Sequence, residues 1–254
     1  MRGSTENTFS FFREKKKLFV ILLLFASPFL FEGLLAYSQV SFPILRCQQA
    51  LPPQSVPSKL LSAILAQEDQ LYFSHRGINI REFYRSLKAN LSAGRVVRGA
   101  STISMQVASL CYSYTQTPSR WYSKIREVFL ALFLDRRLTK ARILEMYLLG
   151  APLGDDPETI GFLSAGKSYF EKPATKWSER EIWSLVTALR NREFLNPEAT
   201  RKLHVISERT NRKLLRARSV EPSLHNMVLE NLSQVSWVLP LHGPLQEEQD
   251  SLTN

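Results

Sequence analysis

Apolar residues in this chain recur three and four positions apart, and nowhere do they alternate over the length of a strand. Leu61, Leu65 and Glu68 follow an i, i+4, i+7 spacing beside Leu60, Ile64 and Leu71. That spacing predicts a helix whose apolar face ends on the acidic pair Glu68-Asp69. The unbroken apolar run 128–134 fits a buried strand or a buried helix by length; its charged flanks, leucines and alanine favour a central helix. Thr139 can cap a helix carrying Ile143, Leu144, Tyr147 and Leu148. Ser178 with Glu181 reads as a capping box, flanked by Trp177 and Ile182 as a hydrophobic staple. A basic helix is expected after Pro197, with Arg201, Arg209, Arg212, Lys213 and Arg216. From Pro240 the chain is rich in Gly, Pro, Gln, Glu and Asp and is expected to be disordered. The expected fold class is all-α.

At 254 residues and 44% apolar composition the chain can bury one substantial core. Residues 18–37 form the one stretch able to enter a bilayer, although Glu32 and Gly33 interrupt it and its length is marginal. Arg13, Lys15, Lys16 and Lys17 precede it, which places the N-terminus in the cytoplasm and the remaining chain outside. A cleaved signal peptide is the competing reading, with Ala36-Tyr37-Ser38 at the cleavage point. The longer apolar core favours an anchor. The net charge of +10 suits an anionic partner: nucleic acid, acidic lipid or a phosphate-bearing substrate. Nucleic acid is disfavoured, because the basic helix lacks interleaved aromatics and lies beyond the membrane segment. Two cysteines, Cys47 and Cys111, cannot make a disulfide framework. A single bridge between them is open, but Cys111 reads better as a small buried hydrophobe. No metal-ligating spacing, Walker loop or dinucleotide fingerprint occurs.

Chemistry-bearing residues cluster in three places. A sugar hydroxyl is a poor nucleophile at neutral pH, and a carboxylate such as Glu68 could take its proton. A bare Glu-Asp pair more often just ends a helix at the surface, so the residues that follow, Tyr72, His75 and Gly77, decide the matter. Gly99 allows close backbone approach, and Ser101 and Thr102 can donate to phosphate or sugar oxygens. In isolation that segment would read as a helix cap. Lys124 and Glu127 stand one turn apart at the head of the apolar run, where a solvated position for Glu127 is less expected.

Taken in order, these segments resemble the five motifs of the family 51 glycosyltransferases. These are membrane-bound peptidoglycan polymerases, also found as the N-terminal half of class A penicillin-binding proteins. The first motif is Glu68, Asp69, Tyr72, His75 and Gly77, and the second is Gly99-Ala100-Ser101-Thr102-Ile103-Ser104-Met105-Gln106. Lys124-Ile125-Arg126-Glu127 is the third, Lys140 to Leu148 the fourth, and Arg209-Thr210-Asn211-Arg212-Lys213-Leu214-Leu215 the fifth. Gly161 to Lys172 resembles a further family segment, in which Gly166 and Glu171 stand where alanine and glycine are usual. Ser109 and Ser123 stand where basic residues are usual; Arg120 and Arg126 are the nearby replacements. Ser164 to Lys167 has the Ser-x-x-Lys spacing of a transpeptidase, but the rest of that domain's signature is missing.

The resemblance implies a lysozyme-like helical domain with a small membrane-proximal lobe, preceded by one transmembrane helix. The expected organisation is a basic tail (1–17), an anchor (18–37), a linker (38–50), a catalytic domain (51–218) and a partly disordered extension (219–254). It implies polymerisation of lipid II on a growing glycan strand at the outer face of the bacterial cytoplasmic (inner) membrane, in company with other cell-wall synthesis proteins. By the same resemblance the catalytic residues are Glu68, the general base, and Glu127, which lies near the donor diphosphate. Asp69, Gly99, Ser101, Thr102, Gln106, Arg120, Lys124 and Arg126 bind substrate, and His75 is structural. Some members use a divalent cation, Mg or Mn, near the diphosphate; no cation site is legible in this sequence. Two other classes stay open: a non-catalytic relative that binds glycan or lipid intermediate, and a lysozyme-like glycan-cleaving enzyme.

Overall fold

The computed structural model describes residues 26–95, 97, 99–112, 120–154, 156–189 and 208–239. Among these, regular structure is helical apart from isolated bridges such as Val56 with Val238, in keeping with the expected all-α class. The chain divides into two compact units: residues 1–44 with 76–138, and residues 45–75 with 139–254.

The second unit is built around a helix buried over most of its length. Pro57 precedes α3 (Ser58–Glu68), counted after α1 (residues 26–39) and α2 (Leu45–Gln48). Leu60, Leu61, Ile64 and Leu65 of α3 are fully buried, as a broad apolar face requires. Truncating any one to alanine would cost about 2–5 kcal/mol. Two later helices of this unit, Glu179–Ala188 and Glu208–Leu232, cover α3. The Ser62 hydroxyl lies against Glu221 of the latter and the Lys59 carbonyl.

The remaining helices of this unit have local causes. Thr139 caps the helix Lys140–Gly150 by accepting from the Arg142 N–H. Within it the buried Glu145 takes Arg142 at 2.6 Å and the Leu51 N–H at 2.8 Å. Arg142 also donates to the Gln49 and Cys47 carbonyls, which ties down the stretch expected as a bare linker. Ser178 and Glu181 form the expected capping box, and Trp177 and Ile182 are buried beside it. Position 218/219, the expected boundary, lies within one continuous helix, whose Ala217, Leu224, Val228 and Leu232 are buried, and Trp237 and Val238 beyond it are buried too. The start of the basic helix after Pro197 and the tail from Pro240 lie outside the described residues. The cysteines need a correction: both are disulfide-bonded and neither is free, so Cys111 is more than a buried hydrophobe.

In the first unit, α1 lies along a long helix, Arg120–Arg137, which also packs against Ile103–Cys111. Gly77 sits at φ +77°, where a Cβ would come 2.5 Å from the Ala131 carbonyl oxygen, so only glycine fits. The helix Ile80–Ala93 is capped by Asn79 and presents Ile80, Phe83, Tyr84, Leu87 and Leu91 on one exposed face, beside exposed Arg81, Arg85 and Lys88. Residues 1–25, with the basic cluster and the start of the expected anchor, lie outside the described residues. No helix among the described residues is long and apolar enough to cross a membrane.

In chain order the remaining labels are α4 (Ile80–Ala93), α5 (Ile103–Cys111), α6 (Arg120–Arg137), α7 (Lys140–Gly150), α8 (Phe162–Phe170), α9 (Glu179–Ala188) and α10 (Glu208–Leu232).

The two departures near α8 acquire opposite meanings. Gly166 faces Trp177, whose ring would lie 2.0 Å from an added Cβ. Glu171 ends α8 in the left-handed region at φ +55°, where glycine is favoured. Calorimetry should therefore find Gly166→Ala destabilised by about 1–3 kcal/mol through overpacking. Glu171→Gly should gain about 1 kcal/mol, roughly 2–4 °C in midpoint.

Burial pushes the Glu181 carboxyl up, but Lys172 at 2.9 Å and the Ser178 N–H and hydroxyl outweigh it and hold the group below its ordinary value. A carboxyl depressed in the folded state lends stability above its unfolded pKa and loses it as pH falls through the folded one. The contribution of the α9 cap should thus be full at neutral pH and fade below about pH 4. Unfolding midpoints measured against pH should show a shallower acid limb for Glu181→Gln than for the native chain.

Candidate active site

Glu68 is the last residue of α3 and is half-buried, where the helix leaves the core. The turn after it is held by buried groups. Asp69 is buried, and both of its carboxylate oxygens meet His75 Nε2, at 3.1 and 2.9 Å. The Tyr72 N–H donates to the Asp69 carbonyl. Tyr72 is itself buried: its hydroxyl donates to the Lys140 carbonyl at 2.7 Å, and the Lys140 ammonium lies 4.5 Å from its ring centre. The Phe73 and His75 rings meet Tyr72 edge-on. His75 is therefore structural, as expected, and Asp69 is its partner. Asp69, named above as a substrate-binding residue, has its carboxylate paired inside the protein, as a buried charge requires.

The second group lies in the other unit. Gly99 is exposed, nothing would meet an added Cβ, and its carbonyl accepts from the Ser86 hydroxyl at 3.0 Å. No neighbour among the described residues accounts for glycine at this position. Ser101 is half-buried and accepts from Lys124 Nζ at 2.9 Å, while the same ammonium meets Glu127 at 2.6 Å. Lys124 keeps 46% of its side chain exposed and Glu127 14%. An ammonium has three N–H groups, so two contacts leave one for a ligand; the Ser101 hydroxyl hydrogen is left as well. Together with the open backbone at Gly99, these donors suit an anionic or sugar oxygen.

Thr102 is buried and is not one of those donors. Its hydroxyl donates to the Gly77 carbonyl and accepts from the Met105 N–H, so it caps α5 and ties the second motif to the first. Gln106 follows one turn later, half-buried. Arg126 likewise makes its contacts inside the protein. It is buried and turned to Glu32 of α1, with Nε on one carboxylate oxygen and Nη2 on the other at 3.0 Å. Ser109 and Ser123, where basic residues were expected, are exposed and half-buried respectively. Of Arg120 only the backbone, at the head of α6, falls among the described residues. Ser164 and Lys167 are both exposed on α8, in keeping with setting that pair aside. Sequence reading missed Glu32; a lone carboxylate inside an apolar run signals a buried partner.

The transglycosylase family model matches residues 43–220. Over 183 residues the chain is 32% identical to penicillin-binding protein 1B of Escherichia coli strain K12, covering 70% of this chain and 21% of that protein. It is 29% identical over 192 residues to penicillin-binding protein 1C of the same strain, covering 75% and 24%. Penicillin-binding protein 1A of Pseudomonas aeruginosa is 35% identical over 128 residues, covering 50% and 15%. The chain thus spans no more than about a quarter of the length of these relatives. With the match spanning the motif-bearing region, the chain belongs to the transglycosylase family, the family 51 glycosyltransferases its motifs resemble.

Proposed function

We propose that this chain is a peptidoglycan glycosyltransferase that polymerises lipid II, a polyprenyl-diphosphate disaccharide-pentapeptide. The observation that carries the reading is Glu68, half-exposed at the end of a buried helix on a turn fixed by Asp69, His75 and Tyr72. In the proposed reaction the acceptor's 4-hydroxyl attacks the donor's anomeric carbon and Glu68 takes the hydroxyl proton. The bond from that carbon to the diphosphate oxygen breaks, its electron pair leaves with polyprenyl diphosphate, and the centre inverts. Charge grows on the leaving diphosphate, so donors fixed in advance stabilise the transition state. Lys124, held between Ser101 and Glu127, is the cation proposed for that task. Gly99 and Gln106 line the donor's approach, and Glu127 orients Lys124.

The remaining parts of the reading follow from the same chemistry. Among the described residues no three His, Cys, Asp or Glu side chains converge as a metal cage. Within the Lys124 group, Glu127 is the carboxylate that could hold a divalent cation such as Mg or Mn, and it is paired with Lys124 at 2.6 Å. The exposed apolar face of α4, flanked by Arg81, Arg85 and Lys88, suits an anionic lipid surface and supports a membrane-held, extracytoplasmic enzyme. Other cell-wall synthesis proteins are the proposed company on that surface. The commitment of Arg126 to Glu32, with serine at 109 and 123, favours one second reading: a relative that binds the lipid intermediate without polymerising it.

The test uses full-length protein in detergent with labelled lipid II. Glu68→Gln should abolish polymer formation and leave the thermal midpoint within about 1 °C; polymer made by this variant would remove Glu68 from the mechanism. Lys124→Met should lower kcat about 10²-fold, from the loss of charge-assisted hydrogen bonds of about 1.5–3 kcal/mol each. A kcat within twofold of native would take Lys124 out of the diphosphate site.

A further inference from the structure

Glu32 is the one charge in the apolar run 18–37, and it is buried, at 2% exposure, against Arg126. The pair belongs to a longer seam along which α1 and α6 run parallel. Gly33 lies under Phe129, where an added Cβ would touch the ring at 3.5 Å. One turn on, the Tyr37 ring meets Phe133 edge-on, with centres 5.5 Å apart. One turn further, Arg137 donates to Ser41 at 3.0 Å and lies 4.7 Å from the Tyr37 ring centre. From Gly33–Phe129 onward each step advances four residues along both segments, and the Glu32–Arg126 pair lies within a turn of the first contact, so the contacts define a single register. Aromatic and glycine contacts tolerate sliding by a turn. A two-pronged ion pair does not, because a shifted register would leave both charges buried and unmatched.

Arg126 sits between Lys124 and Glu127 in sequence, and successive residues point about 100° apart around a helix. Whatever fixes the direction of Arg126 therefore fixes theirs. A rotation of α6 by about 20° would move a side-chain tip lying 5–6 Å from the axis by roughly 2 Å. A misplacement of about 1 Å can already cost ~10²-fold in rate.

We propose that Glu32 is a positioning residue: through Arg126 it sets the register of the N-terminal segment on α6, and with it the orientation in which Lys124 and Glu127 meet the donor diphosphate. The proposal rests on the functional reading above. An ion pair retained for stability alone would be poorly chosen, since apolar pairs of similar size often match or exceed buried ion pairs. As a device that admits one register, it has a clear physical use.

The experiment compares native full-length protein with Glu32→Gln, with the paired replacement Glu32→Leu/Arg126→Leu, and with the exchange Glu32→Arg/Arg126→Glu. For each, kcat and KM on lipid II, the thermal midpoint and amide exchange over residues 120–130 are measured. Glu32→Gln should lower kcat at least tenfold with KM within threefold of native. The double-leucine protein should keep or raise the midpoint yet stay at least tenfold slow, which a merely structural pair would not produce. The charge exchange, where it folds, should recover most of the loss. A double-leucine protein with native kcat and native midpoint would overturn the proposal. Should the native chain not polymerise lipid II, the functional reading fails and amide exchange decides the register alone: faster exchange over residues 120–130 in the Glu32→Gln and double-leucine proteins supports it, and unchanged exchange overturns it.

Discussion

The buried pair of Asp69 and His75 is the constraint from which the candidate active site follows. A carboxylate at that depth has to be matched, and both of its oxygens find His75 six residues along the chain. Closing that short loop fixes the turn in which Tyr72 inserts, and Tyr72 in turn reaches the Lys140 carbonyl at the head of α7. Glu68 precedes this knot by one residue and ends a helix that cannot move without uncovering its leucines. Its direction is therefore set from both sides. A group meant to take a proton at a defined position needs that kind of support.

The first unit applies the same division of labour. Thr102, Gly77 and Arg126 are motif residues whose contacts lie inside the protein: one caps α5, one allows the backbone of α6 to approach, one anchors α1. Gly99, Ser101, Lys124 and Glu127 are the neighbours left partly exposed. Half of what a motif specifies is thus scaffold. Substitutions in either half would impair activity, by different routes: scaffold positions move the thermal midpoint, whereas positions meeting the substrate should move only the rate.

What was legible in the sequence was local. The periodicity from Leu60 to Glu68, the Thr139 cap and the Ser178–Glu181 box depend on residues three or four apart, and each forms as expected. What was not legible depended on partners far along the chain. Arg126 reads as a free cation beside Lys124 until Glu32, distant in sequence, is brought onto it. Asp69 and Thr102 read as ligands because their buried partners cannot be inferred from composition. Past position 218, Leu224, Val228 and Leu232 recur every four residues and are buried, a local signal that extends α10 through the expected boundary.

The central claim is that Glu68 and Lys124 serve glycan synthesis rather than binding or cleavage. The most direct measurement is product analysis after native full-length protein is incubated with labelled lipid II, following strand length, anomeric configuration and released polyprenyl diphosphate together. The account predicts lengthening strands with inverted linkages and one diphosphate released for each linkage formed. Lipid II that is bound but recovered unchanged, or preformed strands that shorten, would contradict it.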